Sequence, residues 1–487
     1  MTPLLSWLDN PSPQRGIRFA TPEGWDFWSY ERLAELVRSC AAALVRAGVP
    51  AGGRVTVIEE NGPRFVGFFF GSMLAGATPS PVAPRPSFGD RERYDDHLAG
   101  VLSATRPDLI VDNGNLQVGA PASVDRPLAD LALLQFTSGT SGRVKGVRLP
   151  FAALEANIRA IAAWLEMKPE DATASWLPVH HDMGLVGCLL APIVTGSDLW
   201  LMSPSDFVRN PLRYLRCFGE QGACLTAMPA FGLDHIVRRV RPASLDGMDF
   251  SRWRAVIVGA ERVTNGSLER FATLGAPFGL SHNALLPAYG LAEATLAVTG
   301  LPLRTGWQTV PRDGTTIVGC GTPLPGAKVT VVDGEIVVGG DSVPDGEVRT
   351  GDAGFLHNGQ LYVIGRLGDS VKIRGRSLFA EDIDAGIAAA CGETQGRLAT
   401  LLGTVGERTR VVVLMERPAS AWHSAAHSVA TVLAEDADIE TIALPSGAIA
   451  RTSSGKPRRR ELWRAYLAGE LSPSRMPERT PSASGTR

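Results

Sequence analysis

The sequence predicts an α/β core, followed by an antiparallel β-rich subdomain and a small α+β unit at the C-terminal end. Three observations carry this expectation. Helix-spaced apolar runs alternate with short β-branched runs from Tyr30 to Met202. After Val318, two Asx-Gly dipeptides separate short strand-like runs. A glycine-bounded joint, Gly365–Gly368, then precedes the last unit.

Taken in order, residues Tyr30–Gly48 form the first amphipathic pattern. Leu33, Leu36, Val37, Cys40 and Leu44 share one side, and Gly48 is a stop. Val55–Ile58 reads as a strand, and Phe65–Leu74 as an apolar helix ending in a Pro-rich turn. Strands Leu109–Val111 and Leu131–Phe136, helix Phe151–Leu165, strand Thr173–Leu177, helix Met183–Val194 and strand Leu199–Met202 continue the alternation. That pattern is expected of covered parallel sheets. Val329–Val332 and Glu335–Val338 flank Asp333-Gly334, while Gly354–Leu356 and Gln360–Ile364 flank Asn358-Gly359. Both are hairpin signals. Beyond the joint come strand Val411–Met415 and helices Ala421–Leu433 and Glu461–Leu467. The tail from Gly469 is rich in Ser, Pro and Arg and reads as disordered.

Composition narrows the function. The 487 residues are 44% hydrophobic and 20% charged, which suits large buried cores and excludes a disordered or collagen-like chain. A net charge of −2 argues against a general nucleic-acid binder. The six Cys show no CxxC pair and no His at metal-site spacing, so they read as buried thiols of a reducing compartment. No secretion signal is visible at the N-terminus. The uncharged stretch Phe65–Pro84 is too interrupted by Gly and Pro to span a membrane. A soluble, cytoplasmic protein is expected. Of its 48 basic residues only five are Lys, at 145, 168, 328, 372 and 456. Arg replaces Lys where a surface charge suffices, but not where a compact, mobile ammonium is needed.

Lys145 closes a loop. Leu133–Leu149 runs from an apolar strand through Thr137, Ser138, Gly139, Thr140, Ser141 and Gly142 to Lys145 and a second strand. Glycines let backbone N–H groups converge on an anion, and hydroxyls add donors. The loop is not a Walker A motif, because no GK[ST] opens a helix. Taken alone, it fits a polyphosphate cradle or an ordinary polar hairpin.

Four further segments decide between these. Thr137–Gly146 resembles the phosphate loop of the adenylate-forming enzymes, a superfamily of acyl-CoA synthetases, peptide-synthetase adenylation domains and luciferases. Tyr289-Gly-Leu-Ala-Glu293 resembles their adenine and magnesium motif, and Arg349-Thr-Gly-Asp352 their ribose motif. Gly365-Arg366 with Asp369, then Ile373–Arg376, resembles their hinge and following loop. Arg451–Lys456 resembles their catalytic-lysine motif. The resemblance implies an N-terminal adenylation domain, residues 1–366, made of two α/β subdomains plus an antiparallel β subdomain. A small mobile α+β domain, 367–468, follows, then the tail 469–487.

One branch is closer than the rest. Trp176-Leu-Pro-Val-His-His-Asp-Met-Gly-Leu185 and Leu286–Leu296, with Ala292 before the Glu, resemble the fatty acyl-AMP ligases. So do Gly259-Ala260-Glu261 and Glu381–Asp384. That branch makes acyl-adenylates and passes the acyl group to the phosphopantetheine thiol of an acyl-carrier protein, here supplied in trans. The stretch from Glu293 to Arg349 is short for the branch and retains little of an insertion associated with refusing coenzyme A. A coenzyme A ligase is therefore the main alternative. A nucleotide-binding scaffold without catalysis is the other. Gly368 replaces a charged hinge residue, and Pro457 follows the lysine where an apolar β-branched residue is common.

The resemblance assigns roles. Lys456 is the catalytic ammonium between carboxylate and α-phosphate. Thr137, Ser138, Gly139, Thr140, Ser141, Gly142 and Lys145 cradle the β- and γ-phosphates of ATP, and Glu293 holds Mg²⁺. Tyr289 stacks on adenine with Gly259 and Ala260 as the opposite wall; Glu261 and Gly290 belong to the same nucleotide-binding set. Asp352 accepts the ribose hydroxyls, and Arg366 reaches the ribose or a phosphate. His181 positions the fatty carboxylate. His180 and His181 are not read as a zinc pair, since neighbouring residues on a strand point opposite ways. Asp182 suits an N-cap as well as a catalytic role. Thr295 or a backbone amide is a candidate to replace the hydroxyl that Ala292 lacks. Met183, Met228, Phe231, Leu233 and Ile236 are candidates for an acyl tunnel, with core packing as their alternative.

Overall fold

The computed structural model describes residues 2–85, 91–137, 145–312, 315–373, 376–391, 397–406, 408–434, 437–451 and 456–471. The chain divides into two compact units between Gly368 and Asp369.

The first unit is built on a nine-stranded sheet. Its spatial order is Thr322–Pro323, Ala297–Gly300, Leu285–Gly290, Ala255–Val258, Ala223–Met228, Ala172–Ser175, Leu199–Leu201, Gly16–Thr21 and Gly24–Ser29. From Leu285–Gly290 to Gly16–Thr21 every neighbouring pair is parallel, and the outermost pairs are antiparallel. The inner strand Ala223–Met228 is buried at every position, as expected where helices cover both faces. The N-terminal hairpin Gly16–Ser29 was not expected from the sequence; it joins the sheet edge through Leu199–Leu201.

A second, parallel sheet of three strands has the order Thr78–Pro81, Arg54–Ile58, Leu109–Asp112. Helices Tyr30–Arg46 and Pro63–Leu74 lie against each other at glycine contacts. A Cβ on Gly71 would sit 3.0 Å from Ala41 N and 2.9 Å from Cys40 Cβ, so only glycine permits this approach. Ser29 caps the first of these helices by accepting Arg32 N–H at 3.1 Å.

The antiparallel region begins earlier than expected, at the hairpin Thr309–Arg312 with Thr315–Val318. A four-stranded antiparallel sheet follows: Ala327–Val332, Glu335–Gly340, Glu347–His357 and Gln360–Arg366. Both expected tight turns form, with positive φ at Asp333 and Gly334 and at Asn358 and Gly359. Two successive positive φ values match the right-handed twist of the flanking strands.

In the second unit, strand Arg408–Glu416 is central, antiparallel to Leu398–Val405 and parallel to Asp438–Leu444. Its alternate residues feed two cores. Val411, Val413 and Met415 pack with Ile383, Ile387, Trp422 and Ala426. Val412 and Leu414 pack with Ala399, Leu401, Ile442 and Leu462. This is the period-two alternation of a strand covered on both faces. The expected disordered tail lies outside the described residues from 472 onward.

No disulfide forms among the described residues; five cysteines are buried and Cys391 is half-buried. No helix among the described residues is long and apolar enough to cross a membrane.

Candidate active site

The ribose-motif carboxylate is built by its own turn. Glu335 Oε1 accepts Gly351 N–H at 2.9 Å, and Glu335 Oε2 accepts Arg349 Nε–H at 2.8 Å. Gly351 takes a φ of +72°, and Thr350 Oγ1 accepts Asp352 N–H at 3.1 Å. These contacts turn the strand at Asp352. One oxygen of its carboxylate then accepts the Tyr289 hydroxyl at 2.6 Å, and the other lies 2.7 Å from Arg366 Nε. Arg366 Nη1 also donates to Thr350 O at 3.2 Å. The adenine, ribose and hinge motifs therefore meet at one buried carboxylate. Burial, and then the adjacent Asp352 charge, hold the Tyr289 phenol well above its ordinary value. It remains a donor at neutral pH.

Lys145 Nζ lies 3.3 Å from Glu293 Oε1. Strand pairing places Thr137 opposite Lys145. Ser138, Gly139, Thr140, Ser141 and Gly142 lie outside the described residues. Glu293 sits on the short helical turn Ala292–Ala294, three-quarters buried. A partly exposed carboxylate beside the phosphate-loop lysine offers the hard oxygen donor that Mg²⁺ prefers. Among the described residues no group of three or more His, Cys, Asp or Glu is placed to hold a metal.

Gly259 follows strand Ala255–Val258, and a Cβ there would approach Ala288 O to 3.0 Å. Ala260 takes a φ of +65°, and Glu261 Oε1 accepts Phe231 N–H at 2.8 Å. Glu261 thereby satisfies an N–H at the start of helix Ala230–Arg239, where a negative charge is favoured. A Cβ on Gly290 would fall 1.9 Å from Leu296 O, so glycine is required at that position.

The His180-His181 segment differs from expectation. It is a turn after strand Ala172–Ser175, not a strand, and the two rings lie 4.9 Å apart between centroids. The strand-alternation reason for setting them apart therefore fails. Burial, with His181 and His97 nearby, pushes His180 well below its ordinary value, so it is neutral at physiological pH. Asp182 takes the N-cap role, its Oδ1 accepting Met183 N–H at 2.8 Å. The following helix is wound as a π-helix over Met183–Leu190 before an α-helical turn Ala191–Thr195. π-Helical turns recur at functional sites.

Two side chains that sequence reasoning missed hold this segment. Asn61 Nδ2 donates to Leu177 O and Met202 O, both at 2.9 Å, and its Oδ1 accepts Val179 N–H at 3.1 Å. Gln135 Nε2 donates to His180 O at 2.8 Å. Asn61 stands before a glycine and looks like a turn residue; nothing in the sequence marks it as a clamp.

Thr295 is not a substitute for the missing hydroxyl. It is fully buried and its Oγ1 donates to Ser342 O at 2.8 Å, so its hydroxyl proton is already engaged within the protein. Of the tunnel candidates, Met228, Leu233 and Ile236 are fully buried core residues, while Met183 and Phe231 are half-buried. Phe231 meets the edge of Trp176 at 5.5 Å, and Trp176 stacks on Phe207 at 4.1 Å. Lys456 lies on the second unit and is exposed.

A covered parallel sheet with Lys145, Glu293, Tyr289, Asp352 and Arg366 on the same unit is in keeping with an adenylate-forming enzyme. The AMP-binding enzyme family matches residues 12–117 and 99–358, and the chain belongs to it. A Caulobacter vibrioides protein named "Putative acyl-CoA synthetase" is 30% identical over 516 residues, covering 90% of each chain. A long-chain-fatty-acid–AMP ligase of Mycobacterium marinum is 28% identical, covering 87% of this chain and 88% of that one. Among solved structures, one from work on fatty acyl-adenylate ligases of E. coli and L. pneumophila matches with a TM-score of 0.87 and 28% identity, covering 96% and 98%. A fatty acyl-adenylate ligase of L. pneumophila in complex with acyl adenylate and pyrophosphate matches with a TM-score of 0.69 and 27% identity, covering 96% and 95%.

Proposed function

We propose that this enzyme activates a fatty acid with MgATP, giving acyl-adenylate and pyrophosphate, and then transfers the acyl group to the phosphopantetheine thiol of a separate acyl-carrier protein. The observation that carries the reading is the meeting of Tyr289, Asp352 and Arg366 at one buried carboxylate. The fatty acid–AMP ligase relatives and the L. pneumophila adenylate complex support the substrate class.

In the first step the fatty carboxylate oxygen attacks the α-phosphorus, and the bond to the β-phosphate bridging oxygen breaks. Pyrophosphate leaves with that electron pair. Thr137, Ser138, Gly139, Thr140, Ser141, Gly142 and Lys145 hold the β- and γ-phosphates. Tyr289 packs on adenine against Gly259 and Ala260, with Glu261 and Gly290 shaping the same wall. Asp352 and Arg366 take the ribose. His181 orients the carboxylate. Lys456 stabilises the charge that develops between carboxylate and phosphate. Glu293 would hold Mg²⁺, which supplies charge neutralisation to the polyphosphate. In the second step the thiol sulfur attacks the acyl carbon, AMP leaves, and the thiol proton passes to solvent. The second unit swivels about Gly365–Asp369 between the steps.

A second reading, an acyl-CoA ligase acting in the cytoplasm on free coenzyme A, is favoured by the Caulobacter relative and by the short Glu293–Arg349 stretch. A fatty-acid panel followed by pyrophosphate release tests the first step. Supplying coenzyme A and carrier protein in parallel, with thioester detection by mass spectrometry, separates the two acceptors. Absence of fatty-acid-dependent ATP–pyrophosphate exchange would overturn both readings. Lys456→Arg keeps the charge but not the compact ammonium, and is expected to lose about a hundredfold or more in exchange.

A further inference from the structure

Two anchors bracket the joint, each inside its own unit. On one side Arg366 is tied to Asp352 at 2.7 Å and to Thr350 O at 3.2 Å. On the other, Asp369 opens the second unit, and its Oδ2 lies 3.5 Å from Arg459 Nη1. The Arg459 side chain is only 13% exposed. The same guanidinium lies 2.9 Å from both Glu381 Oε1 and Asp384 Oδ2, and its Nε donates to Thr400 O at 3.1 Å. Asp384 Oδ1 is in turn held by Thr400 N–H at 2.8 Å and Thr400 Oγ1 at 2.7 Å. One buried cation thus gathers three carboxylates, an arrangement whose desolvation makes it a poor device for stability alone.

Its place in the chain suggests another use. Arg459 begins helix Arg459–Leu467, three residues after Lys456. The base of the segment carrying Lys456 is closed by the antiparallel bridge Arg451–Pro457 and by Arg458 N–H donating to Ala450 O at 2.8 Å. The joint residue and the base of the lysine segment are therefore fixed to one guanidinium. Between the two anchors stand Leu367 and Gly368, both exposed.

We propose that Arg459 is a positioning residue that joins Asp369 to the base of the Lys456 segment, so that the lysine travels as a rigid extension of the joint and rotation is confined to Leu367–Gly368. This rests on the role given to Lys456 above. Asp369→Asn keeps the side-chain size and removes the charge facing Arg459. The expected result is a fall of about tenfold or more in kcat for fatty-acid-dependent ATP–pyrophosphate exchange, with KM for ATP and fatty acid unchanged and the melting temperature near wild type. Arg459→Lys keeps the charge but not the three-way fork, and should show the same kcat-only loss. Because the effect acts through the lysine, Asp369→Asn added to Lys456→Ala should slow residual exchange no further. Wild-type kcat in Asp369→Asn, or an additive loss in the double variant, would overturn the positioning role. Wild-type exchange in Lys456→Ala alone would instead overturn the lysine assignment beneath it.

Discussion

The phenol of Tyr289 donates to Asp352 Oδ2 at 2.6 Å, linking the end of strand Leu285–Gly290 to the antiparallel sheet that carries the ribose motif. Asp352 therefore presents its carboxylate from a fixed direction, with Arg366 on its other oxygen. Tyr289→Phe keeps the ring and removes the donor. A hydrogen bond to a charged acceptor contributes about 1.5–3 kcal/mol, so KM for ATP should rise about tenfold or more. KM for the fatty acid should not move. Steady-state pyrophosphate release measures both, and an unchanged KM for ATP would show that the hydroxyl does not organise the nucleotide side.

All six tyrosines have their phenols pushed above the ordinary value, with burial the largest cause for each. A group whose folded value exceeds its unfolded value contributes stability below the unfolded value, about 10 for tyrosine, and loses it as pH rises through the folded one. Absorbance at 295 nm should therefore show the folded protein ionising later than the chain in guanidinium chloride. Tyr30, Tyr214 and Tyr289 should ionise only as the fold is lost. Coincident curves for folded and denatured protein would contradict this.

How far the sequence revealed the site depends on what each residue does. Lys145, Glu293, Asp352 and Arg366 stand in motifs whose chemistry is local, and the fold brings them into two pairs. The two Asx-Gly hairpins were legible because their φ requirement is written in the residue types. Asn61 was not, because its three partners lie more than a hundred residues away and its own neighbours resemble any turn. The His180-His181 turn was misread because the run before it is β-like, yet strand pairing stops at Ser175. Within the Gly16–Ser29 hairpin, strand Gly16–Thr21 pairs parallel with Leu199–Leu201, a long-range partner that local alternation cannot name.

Asn61 fixes the backbone that leads into that turn. Three hydrogen bonds end on one amide, and Asn61→Ala leaves two carbonyls and one N–H without it. At about 0.5–1.5 kcal/mol net for each, the loss of stability should be about 2–4 kcal/mol. Asn61→Asp keeps the acceptor for Val179 N–H but turns a carboxylate oxygen toward the Leu177 and Met202 carbonyls, so it should be less stable than Ala. Equilibrium urea unfolding gives the ranking, and an Ala variant as stable as wild type would show that Asn61 does not clamp the turn. If the turn serves the fatty carboxylate, the folded Asn61→Asp variant should also show a raised KM for the fatty acid.

Thr295 holds the turn beside Glu293 under strain. Its φ of +69° and ψ of −59° place a β-branched residue at the centre of a γ-turn closed by Leu296 N–H to Ala294 O at 2.8 Å. Such a conformation costs about 1–3 kcal/mol and persists only where its surroundings impose it. Here the buried hydroxyl bond to Ser342 O is one such restraint. Thr295→Val keeps the shape and the strain but strands the Ser342 carbonyl, so it should destabilise by about 1–3 kcal/mol. Thr295→Gly loses the same bond but relieves the backbone, and should be the milder change. If the turn aims Glu293 at the metal, Thr295→Val should also need more Mg²⁺ for half-maximal pyrophosphate release, while KM for the fatty acid stays constant. A Val variant with wild-type stability and an unshifted Mg²⁺ titration would show that the Thr295 hydroxyl neither holds the turn nor places Glu293.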